Sequence, residues 1–229
     1  MPQDHAAAPS DDVNAQGYDD KTGTYFGGVR RDFLALLPRD GRADVLEIGC
    51  GFGETGAAAL AAGLCQTYTG VELVPQAAAI ARTRLTQVLE GDVERMELPL
   101  PAQHFDAVLM SEVLEHLVDP WTLVKRIAHL LKPGALVLAS SPNVAQISVL
   151  RGLLADRWDL TEAGVMDRTH LRWFTQTSYR RMFEDAGIRV DQLHAMAPPG
   201  PAGRVFNLLT LNRFRHLTMR QICVVGHKP

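Results

Sequence analysis

Residues Val45-Leu46-Glu47-Ile48-Gly49-Cys50-Gly51-Phe52-Gly53 run a short apolar stretch, broken only by Glu47, into three alternating glycines. Such a stretch reads as a buried strand, and the glycines let the backbone turn sharply and come close to a ligand. A strand that ends in this way belongs in a parallel sheet covered by helices, where ligands lie in the crevice at the carboxyl ends of the strands. Glu72 stands nineteen residues after Gly53, at the end of the next apolar run. A carboxylate there suits two ribose hydroxyls, so the two features together point to an adenosine-bearing cofactor.

The rest of the chain alternates strands and helices. A helix is predicted around 27–37, with Phe33, Leu34 and Leu37 on one face. Strands follow at 43–48, 67–72, 86–90, 105–111 and 135–140. Between the first two lies an alanine-rich helix at 54–62, and Pro75 opens another at its first turn, where a missing N–H costs nothing. Asp119-Pro120 caps and opens a helix to about 131, and Lys132-Pro133-Gly134 turns into the fifth strand. Ile188–Met196 and Ile222–Val225 read as two further strands with a helix near 203–212 between them. The expected fold is therefore α/β: a Rossmann-like, doubly wound seven-stranded sheet, mostly parallel, with an antiparallel final strand. Residues 1–20 are polar and acid-rich and are expected to be disordered; 21–229 are expected to form one domain, with an insertion at about 143–173.

Composition excludes several classes. No stretch is apolar enough to span a bilayer, and the N-terminus lacks a basic-then-apolar signal, so a cytoplasmic protein without a membrane partner is expected. Cys50, Cys65 and Cys223 are scattered and lack C-x-x-C spacing, which argues against a disulfide framework or a thiolate metal site. A formal net charge of −3 gives no footprint for nucleic acid. Residues 198–229 carry Arg204, Arg213, Arg215, Arg220 and Lys228 without an acid, a local bias whose simplest reading is a solvated face. Oligomeric state is not legible.

The glycines alone fit two cofactors, because Gly51-Phe52-Gly53-Glu54-Thr55-Gly56 also satisfies the dinucleotide pattern G-x-G-x-x-G. Glu47 favours the other choice: it would repel a pyrophosphate but welcome a methionine ammonium. The run Glu47-x-Gly49-x-Gly51-x-Gly53 resembles motif I of the class I S-adenosylmethionine-dependent methyltransferases, and the resemblance extends over about residues 25–229. It implies Gly49, Gly51 and Gly53 at the methionine portion of the cofactor and Glu72 on the ribose. It also implies Asp92, in Gly91-Asp92-Val93, at the adenine amine, with the following backbone N–H facing a ring nitrogen. Tyr25-Phe26 would close over the cofactor. A dinucleotide oxidoreductase using the same glycines and a cofactor-binding protein without catalysis are the rivals from other classes.

Chemistry is expected after the fourth strand, in Ser111-Glu112-Val113-Leu114-Glu115-His116, with Ser111 at the cofactor. Glu112, Glu115 and His116 stand at i, i+3 and i+4, so one helical turn would align them, and two carboxylates with an imidazole suit a divalent cation. The E-x-x-E-H run with a later His170, in Asp167-Arg168-Thr169-His170-Leu171-Arg172-Trp173-Phe174-Thr175, resembles the metal-dependent branch of the family. That branch contains RNA 2′-O-methyltransferases and ubiquinone-pathway O-methyltransferases. The resemblance implies that Glu112, Glu115, His116 and His170 hold a magnesium-like ion that contacts neighbouring hydroxyls of the acceptor. Two alternatives stay open: His116 or His170 acts as a base without metal, or the acids serve only the helix dipole.

An ion gripping two oxygens favours a vicinal diol, which a sugar, a catechol or a terminal ribose would supply. Segment 143–173 is the expected acceptor wall, with Asn143, Trp158 and Trp173 hydrogen bonding or stacking, or with the aromatics in the core. Its Arg157-Trp158-Asp159 and Thr169–Thr175 stretches resemble small methyltransferases that modify sugars and glycans. The expected partner is a small hydroxylated molecule, with an amino sugar or a quinol as alternatives.

Overall fold

The computed structural model describes residues 28–229. The expectations for residues 1–20 and for Tyr25-Phe26 lie outside the described residues. The strands are β1 (Asp44–Ile48), β2 (Thr67–Glu72), β3 (Gln87–Glu90), β4 (Phe105–Ser111), β5 (Leu131–Pro142), β6 (Arg189–Ala195) and β7 (Gln221–His227). The helices are α1 (Arg31–Leu34), α2 (Glu54–Ala61), α3 (Pro75–Ala81), α4 (Pro120–Leu130), α5 (Ile147–Leu154), α6 (Gln176–Asp185) and α7 (Pro201–Leu209).

The strands form one seven-stranded sheet in the order β3-β2-β1-β4-β5-β7-β6. Pairings from β3 through to β5 are parallel, while β7 runs antiparallel to both β5 and β6. The strand order reverses between β1 and β4, which is where a doubly wound sheet opens its crevice.

Alternation along the strands divides the core. Leu46, Ile48, Val108 and Met110 face a cluster with Leu123, Val124 and Ile127 of α4 and Tyr179, Met182 and Phe183 of α6. Val45, Ala107, Leu109 and Leu138 face the opposite cluster, with Phe33, Ala59 and Ala81. Burying one such large apolar side chain contributes roughly 1.5–3 kcal/mol. The helices behind the first cluster begin with defined caps. Asp119 accepts from Thr122 N at 3.1 Å before Pro120 starts α4, and Thr175 and Ser178 form a reciprocal capping box on α6.

Three elements differ from expectation. The first helix is only Arg31–Leu34, and Leu37 is buried from the turn that follows it. The fifth strand starts earlier, at Leu131, because Leu131 pairs with Phe105 and the register then shifts past the Pro133-Gly134 turn. Within 143–173 lies α5, which was not foreseen; Gln146 caps it without a side-chain hydrogen bond and its first turn has no acid, so the usual start signals are missing. Among the described residues no helix is long and apolar enough to cross a membrane.

Candidate active site

The carboxyl ends of the first five strands open into a cavity of about 1390 Å³. Pockets for one drug-sized ligand run to roughly 300–1,000 Å³, so this cavity has room for more than one such ligand. Glu47, Gly49 and Gly51 line it from β1, Glu72 from β2, Asp92 and Val93 from beyond β3, and Ser111 and Glu112 from β4.

The glycine turn is tied to β2. The Gly49 and Cys50 amides donate to the Val71 carbonyl at 2.8 and 3.1 Å, and the Gly51 amide donates to Glu72 Oε2 at 2.7 Å. Gly49 has φ +72°, and a Cβ there would lie 3.1 Å from Val113 Cγ2, so the turn needs glycine both for conformation and for space. Gly53 does not line the cavity. It starts α2 at φ +73° and packs on Ala81 and Leu85, so its evident work is joining α2 to α3. Burial raises the Glu72 carboxyl above the usual carboxylate range, against the pull of the Val74 and Gly51 amides. Asp92 Oδ1 accepts from Glu94 N at 2.9 Å, so it shapes the turn after β3 as well as lining the cavity.

Glu47 is buried among the α2 and α3 side of the sheet, where Tyr68 Oη donates to its Oε2 at 2.9 Å. Burial pushes its carboxyl up to about 8, with the charge of Glu72 adding to the rise and Tyr68 and Arg30 opposing it.

Arg30 closes the cavity from the N-terminal side, a role that sequence inspection missed. Its Nη1 donates to Ser111 Oγ and, at 2.8 Å, to Ser140 Oγ; its Nη2 pairs with Asp32 at 2.7 Å, and its guanidinium stacks 3.7 Å from the Phe33 ring centroid. Beside it, Gly28 N donates to Glu54 Oε2 at 2.6 Å and Arg30 N to Thr55 Oγ1 at 3.2 Å. The segment before α1 is thereby clasped to α2, β4 and β5. No local signal could have marked Arg30, because Ser111 and Ser140 lie 81 and 110 residues away.

The acid and histidine residues line the same cavity beyond β4. They do not form the expected α-helical turn: Glu112 has φ +52°, and a 3-10 turn, Leu114–His116, follows before Pro120 restarts the helix. One ligand atom each from Glu115, His116 and His170 lies within 4.8 Å of the other two. Glu112 is outside that group, since Gln221 Nε2 donates to its Oε2 at 2.9 Å; its Oε1 is buried without a hydrogen bond. Both oxygens of the buried Glu115 carboxylate also lack a hydrogen bond of good geometry. Burial and then the charge of Glu112 push the Glu115 carboxyl well above the usual range.

The histidines are oriented by backbone. His116 Nδ1 lies 3.1 Å from the Thr169 carbonyl and His170 Nδ1 3.1 Å from the Val165 carbonyl. A carbonyl only accepts, so each neutral ring carries its proton on Nδ1 and its lone pair on Nε2. The rings meet edge to face with centroids 4.8 Å apart. Glu115 also fixes His170's loop, because its carbonyl accepts from Leu171 N and Arg172 N at 2.8 and 2.9 Å. A carboxylate and two Nδ1-anchored imidazoles are a donor set that could hold a divalent ion or accept a proton.

A methyltransferase-domain family model matches residues 23–193, most of the chain. The chain belongs to the S-adenosylmethionine-dependent methyltransferases. It is 28% identical to a ubiquinone biosynthesis O-methyltransferase of Nitrosospira multiformis over 79% of this chain and 76% of that protein. It is 30% identical to the protein of that name from Thiobacillus denitrificans over 72% of each. Among solved structures, an S-adenosylmethionine-dependent methyltransferase of Archaeoglobus fulgidus shares the fold at a TM-score of 0.65 and 19% identity, covering 89% of this chain and 96% of that one.

In this methyltransferase the segment 143–173 borders the cavity, but not through all the residues expected. Asn143 is fully buried and donates to the His216 and Met219 carbonyls at 2.8 and 2.9 Å, while its Oδ1 accepts from Ala145 N at 3.1 Å. Its amide is spent on holding the loop, because the chain there must leave β5 and pack under 216–219. Trp158 lines the cavity, whereas Trp173 backs it edge-on with centroids 5.3 Å apart. Asp167 was passed over; its Oδ1 accepts from Thr169 N at 2.9 Å and Thr169 Oγ1 at 2.7 Å and so shapes the turn that presents His170. Its D-x-T spacing before His170 was the available signal.

Proposed function

We propose that this methyltransferase transfers its methyl group to a hydroxyl of a small vicinal diol, a sugar or glycan precursor first, with a divalent cation bound by Glu115, His116 and His170. One observation supports the reading: a buried carboxyl without a hydrogen bond of good geometry stands beside two imidazoles whose Nδ1 atoms are committed to backbone carbonyls, in the cavity that the glycine turn also lines. A buried carboxylate is costly unless a cation or donor compensates it. Glu112 offers a fourth oxygen of suitable chemistry in its unbonded Oε1. Two imidazoles make the set softer than an all-oxygen magnesium site, so manganese belongs beside magnesium in any assay.

In the reaction the acceptor oxygen forms the new C–O bond, and the electrons of the S–CH3 bond return to sulfur, leaving a neutral thioether. When bound, the cation would lower the pKa of the hydroxyl and fix its direction. The protein's own work is to hold the sulfonium and the oxygen in line and to take the proton. Nε2 of His116 or His170 carries the lone pair for that step. The glycine turn, Glu72, Asp92 and Val93 hold the cofactor, with Glu47 nearest its ammonium and Ser111 fixing the Arg30 clasp.

The same tautomer suits a metal-free base, which is the second reading and would extend to an amino-sugar acceptor. A catechol is the rival diol. The cytoplasm is the compartment we assign, since all three cysteines are buried and free. The deciding experiment measures methyl transfer to a panel of sugar diols, catechols and amino sugars with magnesium, manganese or EDTA, beside calorimetric titration of manganese into wild type and His170→Ala. Turnover on a diol that survives exhaustive chelation, with no manganese binding by wild type, sinks the metal part of the proposal. Transfer to amines alone sinks the O-methylation part.

A further inference from the structure

Helix α7 is built inside out. Its apolar residues Val205, Leu208 and Leu209 recur at helical spacing but face solvent, with Leu208 73% and Leu209 78% exposed. Gly203, Asn207 and Thr210 form the stripe that turns inward. Asn207 Nδ2 donates to Thr218 Oγ1 at 3.0 Å, and a Cβ on Gly203 would lie 3.0 Å from Pro199 Cβ, so the polar and small face is the docked one. A surface helix ordinarily buries its apolar stripe against the core. Here none of the nine residues is buried among the described residues. The turn after the helix extends the pattern: Leu211, at φ +50°, is 87% exposed, and Phe214 is also exposed.

Charge says what this face meets. The segment from α7 to β7 carries Arg204, Arg213, Arg215 and Arg220, and no Asp or Glu occurs after Asp191. Exposed aliphatic side chains on a segment that carries arginines and no acid match an anionic bilayer surface, where apolar side chains enter the headgroup region and arginines meet phosphates. A symmetric contact between two copies of this segment would place the same arginines against each other with no acid of the segment to neutralise them. The segment also adjoins the site, because Met196–Gly200 and Thr218, Arg220 and Gln221 line the cavity. Helix α5, which borders the same cavity through Val149 and Gly152, adds exposed Leu153 and Leu154.

We propose that the α7 segment, residues 201–215, docks this methyltransferase on an anionic phospholipid surface with its cavity mouth beside the membrane. The inference does not depend on which acceptor is methylated or on a metal.

The test is co-sedimentation of the full chain with phosphatidylcholine vesicles and with vesicles containing phosphatidylglycerol, at low and high salt. Binding should require the anionic lipid and weaken with salt. Arg213→Gln with Arg215→Gln should reduce partitioning about fivefold per arginine at low salt. Leu208→Gln with Leu209→Gln should reduce it at least as much on the same vesicles. Both double variants should keep wild-type circular dichroism and calorimetric affinity for S-adenosylmethionine, which separates lost docking from lost folding. No sedimentation of wild type with anionic vesicles overturns the proposal. So does equal sedimentation of wild type and the leucine variant, or a wild-type dimer in solution that the leucine substitutions dissociate.

Discussion

Tyr68 Oη donates to Glu47 Oε2 at 2.9 Å, linking β2 to β1 immediately below the glycine turn. This single neutral donor serves a carboxyl that burial pushes up to about 8. Between the ordinary 4.5 and about 8 the folded chain holds this proton more tightly than the unfolded chain. Stability from this group is therefore lost as pH rises through that window and levels off above it. With the cofactor's ammonium beside Glu47, as we propose, the preference would reverse, because a nearby cation favours the charged carboxylate. Binding S-adenosylmethionine at pH 7 should release a proton. Calorimetry in phosphate and in Tris, whose ionisation heats differ, should give different apparent enthalpies, and Glu47→Gln should erase the difference and weaken binding on the order of tenfold. Equal enthalpies for wild type would show that Glu47 does not change its protonation.

Arg30 bridges Ser111 and Ser140 while paired to Asp32, with its side chain 12% exposed. Hydrogen bonds involving a charged group contribute roughly 1.5–3 kcal/mol. Arg30→Met should lower urea stability by about 2 kcal/mol and weaken cofactor binding on the order of tenfold, because the clasped segment lines the cavity. Arg30→Lys should rescue little, since one ammonium cannot span the same fork of partners. Full rescue by lysine, read in the same two assays, would reduce the role of Arg30 to simple charge.

Gly56 lies in α2 where a Cβ would come within 2.4 Å of Leu85 Cδ2 and 2.5 Å of Tyr68 Cδ1. Alanine gains about 1 kcal/mol of helix propensity. Overlap with a buried aromatic ring costs about 1–3 kcal/mol or more, and the ring is fully buried with little room to move. Gly56→Ala should therefore be destabilising by about 1–2 kcal/mol, a fall in Tm of a few degrees by calorimetry. An unchanged or higher Tm would mean that α2 shifts off β2 without penalty.

Strand positions were legible because the apolar runs are short and bounded by turn residues, as at Gly63–Gln66 before β2 and Lys132–Gly134 before the core of β5. The cavity residues at Glu47, Gly49, Gly51, Glu72 and Asp92 were legible for a related reason: in a parallel sheet a strand's carboxyl end is itself a location. What could not be read was anything set by contacts distant in sequence. Arg30 depends on partners in β4 and β5, Glu112 is drawn aside by Gln221 109 residues later, and Asn143 serves His216 and Met219. The i, i+3, i+4 spacing of Glu112, Glu115 and His116 suggested one helical face. The positive φ of Glu112 breaks that periodicity, and His170 reaches the other two through the Leu171 and Arg172 amides bonded to Glu115.

Glu115→Gln gives the sharpest separation between a binding carboxylate and a merely buried one. The amide keeps the shape of the side chain but removes the negative charge that the carboxyl could present to a cation beside His116 and His170. Without added metal, burial already favours the neutral, protonated carboxyl, which the amide mimics, so the Tm should stay close to or above that of wild type. With manganese in excess, wild type should gain stability in proportion to RT ln(1 + [L]/Kd), about 2.7 kcal/mol at a hundredfold excess over Kd. The variant should lose most of that gain, because a neutral amide oxygen is a poor ligand for a divalent ion. Thermal scans of both proteins with EDTA and with manganese read all four states. A manganese-induced rise of the same size in wild type and Glu115→Gln would place the ion elsewhere or remove Glu115 from its ligands. A large fall of the variant's Tm in EDTA would instead show that the carboxylate is compensated within the protein and has no need of a cation.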